Sequence, residues 1–177
     1  MRDGSWIGVI LSGLLVGLVA GGCGSQTIKG SDIYKDQQGF RIAEDAEIPD
    51  NDKNREVLDV VAQYQRAVSN KDFGALKQLV SEEYYENAGT TDTTDDDYSD
   101  QRLPEVFELM AQHAKEIKYT VIVKRVHYKR NRALVDFEYK YAYKYEVGEK
   151  PTWDAGVEVN RLELVPSGGR WKITSGL

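Results

Sequence analysis

The sequence predicts an α+β domain in which three N-terminal helices pack on a curved, mainly antiparallel sheet. Between residues 55 and 114, apolar side chains recur at three- and four-residue spacing, as on the buried face of a helix. After Glu116 the spacing changes to two, and β-branched and aromatic residues predominate, as in strands with one buried face. Helices followed by hairpin-connected strands are the order of an α+β fold.

Length and charge narrow the classes of protein to consider. A chain of 177 residues has room for one ordinary domain and accessory segments. Its formal charge of −6, from 29 acidic and 23 basic side chains, disfavours a nucleic-acid partner, because such proteins neutralise phosphates. The chain has one cysteine, so an intramolecular disulfide is excluded.

The N-terminus explains that cysteine. The apolar run at residues 6–20 has the length of a secretory signal and is shorter than the roughly 20 residues that span a bilayer. It leads into Gly21-Gly22-Cys23, which resembles the lipobox of bacterial lipoproteins. The resemblance implies that residues 1–22 are a cleaved signal peptide and that Cys23 carries diacylglycerol and acyl chains such as palmitate. An uncleaved apolar anchor is the alternative.

Both readings predict a domain held at a membrane outside the cytoplasm, in the bacterial cell envelope. The residue after Cys23 is Gly24, and not the aspartate that retains lipoproteins at the inner membrane in some bacteria. The outer membrane and the outer face of the cytoplasmic membrane therefore both stay open.

Residues 23–54 form a polar tether by composition. It contains more apolar residues than a solvated spacer requires: Ile33, Tyr34, Phe40, Ile42 and Ile48. Two interpretations stay open. The segment docks on the domain as a strand or two, or it is a flexible spacer that lifts the domain off the lipid.

Three helices are expected after the tether. The first covers residues 55–68, with Asp52 or Asn54 as its N-cap. Asp72 caps a shorter second helix, and Pro104 suits the first turn of a third, where its missing N–H costs nothing.

Strands follow. Residues 119–128 and 133–145 form a hairpin around Arg130-Asn131, and pairs whose numbers sum to 261 face one another, such as Val126 and Val135. A third strand covers residues 153–165, and a last short strand covers residues 170–174. Along the third strand the inward-facing apolar residues change from odd-numbered to even-numbered positions, which predicts a bulge near Asn160. The residues expected inward before that bulge are Trp153, Ala155, Val157 and Val159.

Aromatic and charged side chains alternate most clearly along the second strand. Tyr139, Tyr141 and Tyr143 lie on one face, which we expect to contact the helices, and charged side chains such as Asp136 and Glu138 lie on the other.

At this point residues 55–177 resemble the nuclear transport factor 2-like superfamily, which includes SnoaL-like proteins and ketosteroid isomerase. The resemblance rests on the helix-bend-helix of residues 63–76 and on the chain ending at residues 160–165 and 169–173. It implies a cone-shaped fold with a pocket between sheet and helices. Enzymes of the superfamily hold acid-base pairs there. No such pair can be placed here, because Asp136 and Glu138 fall on the charged face.

Five residues are candidates for lining a pocket that suits a small amphipathic ligand: Lys124, Phe137, Tyr139, Tyr141 and Tyr143. Plain core packing is the alternative. No catalytic residue, metal site or cofactor is predicted. His113 and His127 have no sequence-local partner, and the acidic residues 90–100 favour a solvated loop over a calcium site, since the spacing of an EF-hand is lacking.

The sequence therefore favours a non-catalytic envelope lipoprotein that binds a protein partner or a small ligand at the membrane surface. The charged sheet face would point outward and is the surface expected for a partner or a homodimer. One alternative is a small enzyme of isomerase or hydrolase type that uses the cavity behind the tyrosines. The other is a structural spacer in an envelope or secretion assembly.

Overall fold

The structure is a computed structural model and describes residues 26–28, 37–87, 97–147 and 150–177. The predicted signal peptide, Cys23 and part of the tether lie outside these ranges, as does most of the predicted acidic loop. The helices of the described residues are α1 (Asp52–Asn70), α2 (Phe73–Leu79) and α3 (Leu103–His113). The strands are β1 (Phe40–Ile42), β2 (Tyr85–Glu86), β3 (Tyr98–Ser99), β4 (Glu116–Lys129), β5 (Arg132–Val147), β6 (Lys150–Ser167) and β7 (Arg170–Ser175).

The helix boundaries follow the capping residues closely. Asn51, rather than Asp52 or Asn54, is the N-cap of α1: its backbone is extended, and its side chain accepts the Asn54 N–H at 2.9 Å. The prediction was wrong because Asp52 and Asn54 already lie within the helix. Asp72 caps α2 as predicted, accepting the Ala75 N–H at 2.9 Å, and Pro104 stands in the first turn of α3.

Five strands form the main sheet in the order β1-β4-β5-β6-β7, and β2 and β3 form a separate small ribbon. Only β1 runs parallel to its neighbour within the main sheet, so the predicted α+β fold with a mainly antiparallel sheet is confirmed. We call the face that packs against α1 the inner face, and the opposite one the outer face. No helix in the part of the chain that the structure describes is long and apolar enough to cross a membrane.

The described parts of the tether dock on the domain. Phe40 of β1 is buried and pairs with Val121 of β4. Ile28 is 1% exposed and donates its N–H to the Ile48 carbonyl at 2.8 Å. For these residues the docked alternative holds, because their apolar side chains complete the core.

The β4–β5 hairpin has the predicted register only near its turn. Val126 faces Val135 and Arg125 faces Asp136, as expected. Beyond a bulge at Lys124 the register shifts by one, so that Val123 faces Phe137. The extra residue of a bulge changes which side chains share a face. Lys124 is therefore absent from the tyrosine face where we expected it and pairs instead with Glu138 at 3.6 Å.

The bulge predicted near Asn160 is wrong. β5 and β6 pair without a break from Ala133 opposite Leu164 to Val147 opposite Lys150. Strict alternation then keeps the even-numbered residues of β6 on the inner face. The four apolar residues expected inward lie on the outer face: Trp153, Ala155, Val157 and Val159. All four are exposed, with Val159 at 81%.

The core lies between α1 and the inner face. Val57, Leu58 and Val61 of the helix are fully buried against apolar residues of the strands. The strand residues buried there include Val121, Val123, Val135, Phe137, Leu162 and Leu164. Each such side chain stabilises the fold by about 1.5–3 kcal/mol. This core occupies the end of the sheet nearest the β4–β5 turn and leaves the tyrosines at the other end.

Candidate functional site

Four tyrosines form a continuous aromatic surface on the inner face, which we call the tyrosine ladder: Tyr119, Tyr139, Tyr141 and Tyr143. Consecutive ring centroids lie 5.5, 5.9 and 5.0 Å apart. Three of the rings come from alternate positions of β5, whose pleat turns them to one side. Tyr119 is buried, and the other three are partly exposed. The ladder therefore leads from the core, at its inner end (Tyr119), to solvent, at its outer end (Tyr143).

The inner end of the ladder is filled. The hydroxyls of Tyr64 and Tyr119 lie 2.9 Å apart, and the Tyr64 ring meets those of Tyr119 and Phe137 edge-on. Burial raises the pKa of both phenols well above the ordinary value. Of the predicted pocket residues, Phe137 is thus a core residue, only 1% exposed.

Carboxylates flank the outer end. Glu158 of β6 lies opposite Tyr139 and accepts hydrogen bonds from the hydroxyls of Tyr139 at 2.5 Å and Tyr141 at 3.4 Å. Asp154 lies opposite Tyr143 on the same face. Partial burial and the hydrogen bond to Glu158 raise the pKa of Tyr139. Aromatic rings and negative charge therefore occur side by side.

Gly156 makes room for this arrangement. It lies opposite Tyr141, and a Cβ placed there would come within 2.8 Å of the Tyr141 hydroxyl oxygen. Any larger residue would displace the ring. Gly156 thus lets the Tyr141 ring lie across β6 toward Glu158.

Sequence reasoning missed Asp154 and Glu158. The predicted inward positions are those of Trp153, Ala155, Val157 and Val159, and with the bulge predicted near Asn160 they leave both carboxylates on the outer face. The signal that identifies them is Leu162: counting back in steps of two from this core residue, with no bulge, leads to Glu158 and Asp154. Because both carboxylates lie far along the chain from Tyr139, sequence spacing gives no other sign that they flank the tyrosine ladder.

The outer face is charged where we expected it. Asp136 accepts hydrogen bonds from Arg161 at 2.5 Å and from Arg125 at 2.7 Å. Partial burial opposes ionisation, but these guanidinium contacts outweigh it and hold the pKa of the Asp136 carboxyl below its usual value. Beside this network lie the exposed Val157 and Val159. Contact with a protein partner or a second copy through this face stays a prediction.

The remaining candidates form no metal site within the described residues. His113 is exposed at the end of α3, and His127 lies 3.9 Å from the Asp136 carboxylate. No group of three potential ligands that could hold a metal occurs in the described ranges. Of the predicted acidic loop, Asp97 accepts a hydrogen bond from the Tyr85 hydroxyl. The solvated state of that loop stays a prediction, since most of the loop lies outside the residues that the structure describes.

A separate polar groove of about 730 Å³ lies beside α1, ahead of the first residue of β1, where residues 117–120 of β4 have β5 as a neighbour on one side and no strand on the other. Gln65, 1% exposed, donates to the Tyr119 carbonyl at 2.8 Å, and Ser69 donates to the same atom at 3.2 Å. These side chains replace the missing strand. We attribute the groove to this structural role.

No protein-family model and no curated protein matches the chain. Solved structures do. The Kfla4162 protein from Kribbella flavida is 12% identical, with a TM-score of 0.58 over 69% of this chain and 86% of that one. A candidate dehydratase of the nuclear transport factor 2-like family from Streptomyces avermitilis is 14% identical, with a TM-score of 0.53 over 69% and 91%.

A candidate ketosteroid isomerase from Shewanella frigidimarina is also similar, at 14% identity and a TM-score of 0.51 over 68% of this chain and 92% of that one. At these identities the likeness concerns the fold alone. The fold is nuclear transport factor 2-like, which confirms the fold that the resemblance implied.

Proposed function

We propose that this chain is an exported lipoprotein, anchored through lipid on Cys23, and that its nuclear transport factor 2-like domain is a non-catalytic binding module. The observation that carries the binding role is the tyrosine ladder with Glu158 and Asp154 at its outer end. Aromatic faces attract cations, and carboxylates reinforce that attraction. The ligand class that fits is a small amphipathic molecule with a cationic head and an apolar body.

The carboxylates favour binding over proton transfer. A catalytic carboxylate of an isomerase or hydrolase has its pKa tuned by burial. Asp154 and Glu158 are both exposed. The buried polar side chains in the described ranges are Asn54, Gln65, Ser81 and Thr174, and none of them is a carboxylate.

The lipid anchor is supported by the resemblance of residues 19–25 to a lipobox and by the single cysteine of the chain. Cells that express the full chain should incorporate labelled palmitate into it, and the Cys23→Ser variant should lose the label. Full labelling of Cys23→Ser would overturn the anchor.

The ligand class can be tested by calorimetry with benzyltrimethylammonium and with benzyl alcohol, a neutral aromatic of similar size. We expect the cation to bind more tightly than the alcohol. Glu158→Gln and Tyr143→Ala should weaken its binding, while Tyr85→Ala, an exposed tyrosine outside the ladder, should not. Equal affinity for cation and alcohol, or equal loss in all three variants, would refute the assignment.

A further inference from the structure

We propose that the end of the sheet at the β4–β5 turn rests on the anionic headgroups of the membrane that holds Cys23. The outer end of the tyrosine ladder then faces away from the lipid. This inference rests on the lipid anchor proposed above. It adds an orientation and a second surface, whose partner is anionic phospholipid.

The tether reaches the domain at Gln26. The Asp50 N–H donates to the Gln26 carbonyl at 2.7 Å, and two residues later Ile28 is buried and bonded to Ile48. Only three peptide units join Cys23 to Gln26, and three units span at most about 11 Å. A lipid on Cys23 therefore holds residue 26 close to the bilayer surface.

Residue 26 belongs to the end of the domain that carries the β4–β5 turn. Asn54, in the first turn of α1, donates to the Pro49 carbonyl at 2.6 Å and accepts from the Tyr128 hydroxyl at 2.6 Å. Tyr128 is the penultimate residue of β4 and lies opposite Ala133. The tether thus joins the domain at the β4–β5 turn. Tyr143 lies ten residues along β5 from Ala133, about 33 Å away in an extended strand.

Cationic side chains gather at the β4–β5 turn. Beside the turn, on the outer face, is a pocket of about 570 Å³. Its lining includes four cationic residues and one acidic residue: Lys129, Arg130, Arg132, Arg161 and Glu163. Arg132 pairs with Glu163 at 3.0 Å and Arg161 with Asp136, whereas Lys129 and Arg130 are exposed and form no ion pair with another described residue.

Electrostatics then favours one orientation. Lys and Arg near an anionic bilayer are attracted to it, and the effect falls off within a Debye length. The chain as a whole carries −6, and Asp50 and Asp52 lie at this same end, so the attraction comes from the exposed cations beside the turn, Lys129 and Arg130. Lys53, whose ammonium lies 3.7 Å from the Tyr128 ring centroid, adds another cation, opposed locally by Glu56. Leu134, 7% exposed, gives the pocket an apolar floor.

The test uses the lipidated full chain in vesicles that contain a headgroup nitroxide lipid. Because lipid occupies the single native cysteine, a cysteine at Asn131→Cys or Pro151→Cys carries a fluorescent label alone. Asn131 is at the β4–β5 turn and Pro151 at the opposite end of the sheet. In vesicles of phosphatidylcholine with phosphatidylglycerol, the Asn131 label should be quenched several-fold more than the Pro151 label. High salt, or phosphatidylcholine alone, should reduce this difference.

Charge reversal provides the matched control. Lys129→Glu with Arg130→Glu should reduce quenching of the Asn131 label to the value found in phosphatidylcholine alone. Lys77→Glu with Lys150→Glu changes the net charge equally and should leave it unchanged. Equal quenching of both labels, or indifference to phosphatidylglycerol, would overturn this inference while the anchor stands. Failure of the protein to float with any vesicle would instead overturn the anchor.

Discussion

Gly156 and Tyr141 face each other across β5 and β6 at a separation that only glycine permits, because a Cβ at residue 156 would lie 2.8 Å from the Tyr141 hydroxyl oxygen. The close contact involves the far end of a partly exposed side chain. A substitution at Gly156 can therefore alter the tyrosine ladder without disturbing the core.

Gly156→Ala should separate binding from stability. The methyl group displaces the Tyr141 ring, and the loss of one aromatic face should weaken binding of benzyltrimethylammonium by about tenfold, or about 1.4 kcal/mol. The unfolding free energy should change by less than about 1 kcal/mol, since alanine also restricts the unfolded chain. Calorimetry and urea denaturation measure the two effects.

Gly39→Ala is the contrasting control. Gly39 has φ +83°, and a Cβ there would lie 2.8 Å from the Tyr119 carbonyl oxygen and still closer to the buried Gln65. Backbone strain and overpacking should cost about 1–3 kcal/mol. If Gly156→Ala destabilised the domain as much as Gly39→Ala, the contact at Tyr141 would be part of the core.

Val159→Lys tests the register of β6. With unbroken pairing Val159 lies on the outer face at 81% exposure, so lysine there should change the unfolding free energy by no more than about 0.5 kcal/mol. Leu162→Lys, at a fully buried inner position, should prevent folding. A bulge near Asn160 would instead make Val159→Lys the damaging change, which urea denaturation would reveal.

This register shows how far the sequence could predict the site. Periodicity identified the helices, the sheet and the inward tyrosines, because burial of one face forces a repeat on the sequence. It failed at β6, where Val157 and Val159 are apolar but exposed. β-branched residues also suit an extended backbone at a solvent-facing position, so their presence does not report burial.

The bulge at Lys124 had no sequence signal at all. The predicted pairing of Val126 with Val135 and of Arg125 with Asp136 is satisfied on one side of it, and Val123 faces Phe137 on the other. On both sides of the bulge an apolar residue faces an apolar residue, at Val126–Val135 and at Val123–Phe137. Only the three-dimensional register reveals the one-residue shift that separates Lys124 from the tyrosine ladder.

Asp136 should make stability depend on pH. Its pKa is depressed in the folded state relative to the unfolded value near 3.8, so its contribution is present above about pH 4 and is lost as pH falls through the folded pKa. Asp136→Asn should lower the unfolding free energy at pH 7 by about 1 kcal/mol. It should also flatten the decline in stability below pH 4.

Urea denaturation at several pH values checks this, with Glu47→Gln, at an exposed site, as the control for net charge. If the Asp136→Asn variant loses stability in acid as steeply as the parent, the contacts of Asp136 with Arg125 and Arg161 do not contribute to the unfolding free energy.

The hydroxyl pair of Tyr64 and Tyr119 closes the inner end of the tyrosine ladder, and its two members should behave as one unit. Tyr64→Phe leaves a buried phenol at Tyr119 without its 2.9 Å partner, which should cost about 1–3 kcal/mol. Removing both hydroxyls removes the unsatisfied group as well. The double phenylalanine variant should therefore lose clearly less stability than the sum of the two single variants.

Alkaline pH provides a second measurement of the same pair. Because burial raises both phenol pKa values in the folded state, their contribution is complete below the unfolded value near 10 and is lost as pH rises through the folded pKa. The double variant should retain more of its pH 8 stability above pH 10 than the parent retains. Additive single-variant losses, together with an unchanged alkaline decline, would mean that the two hydroxyls are independently solvated and that water reaches the inner end of the ladder.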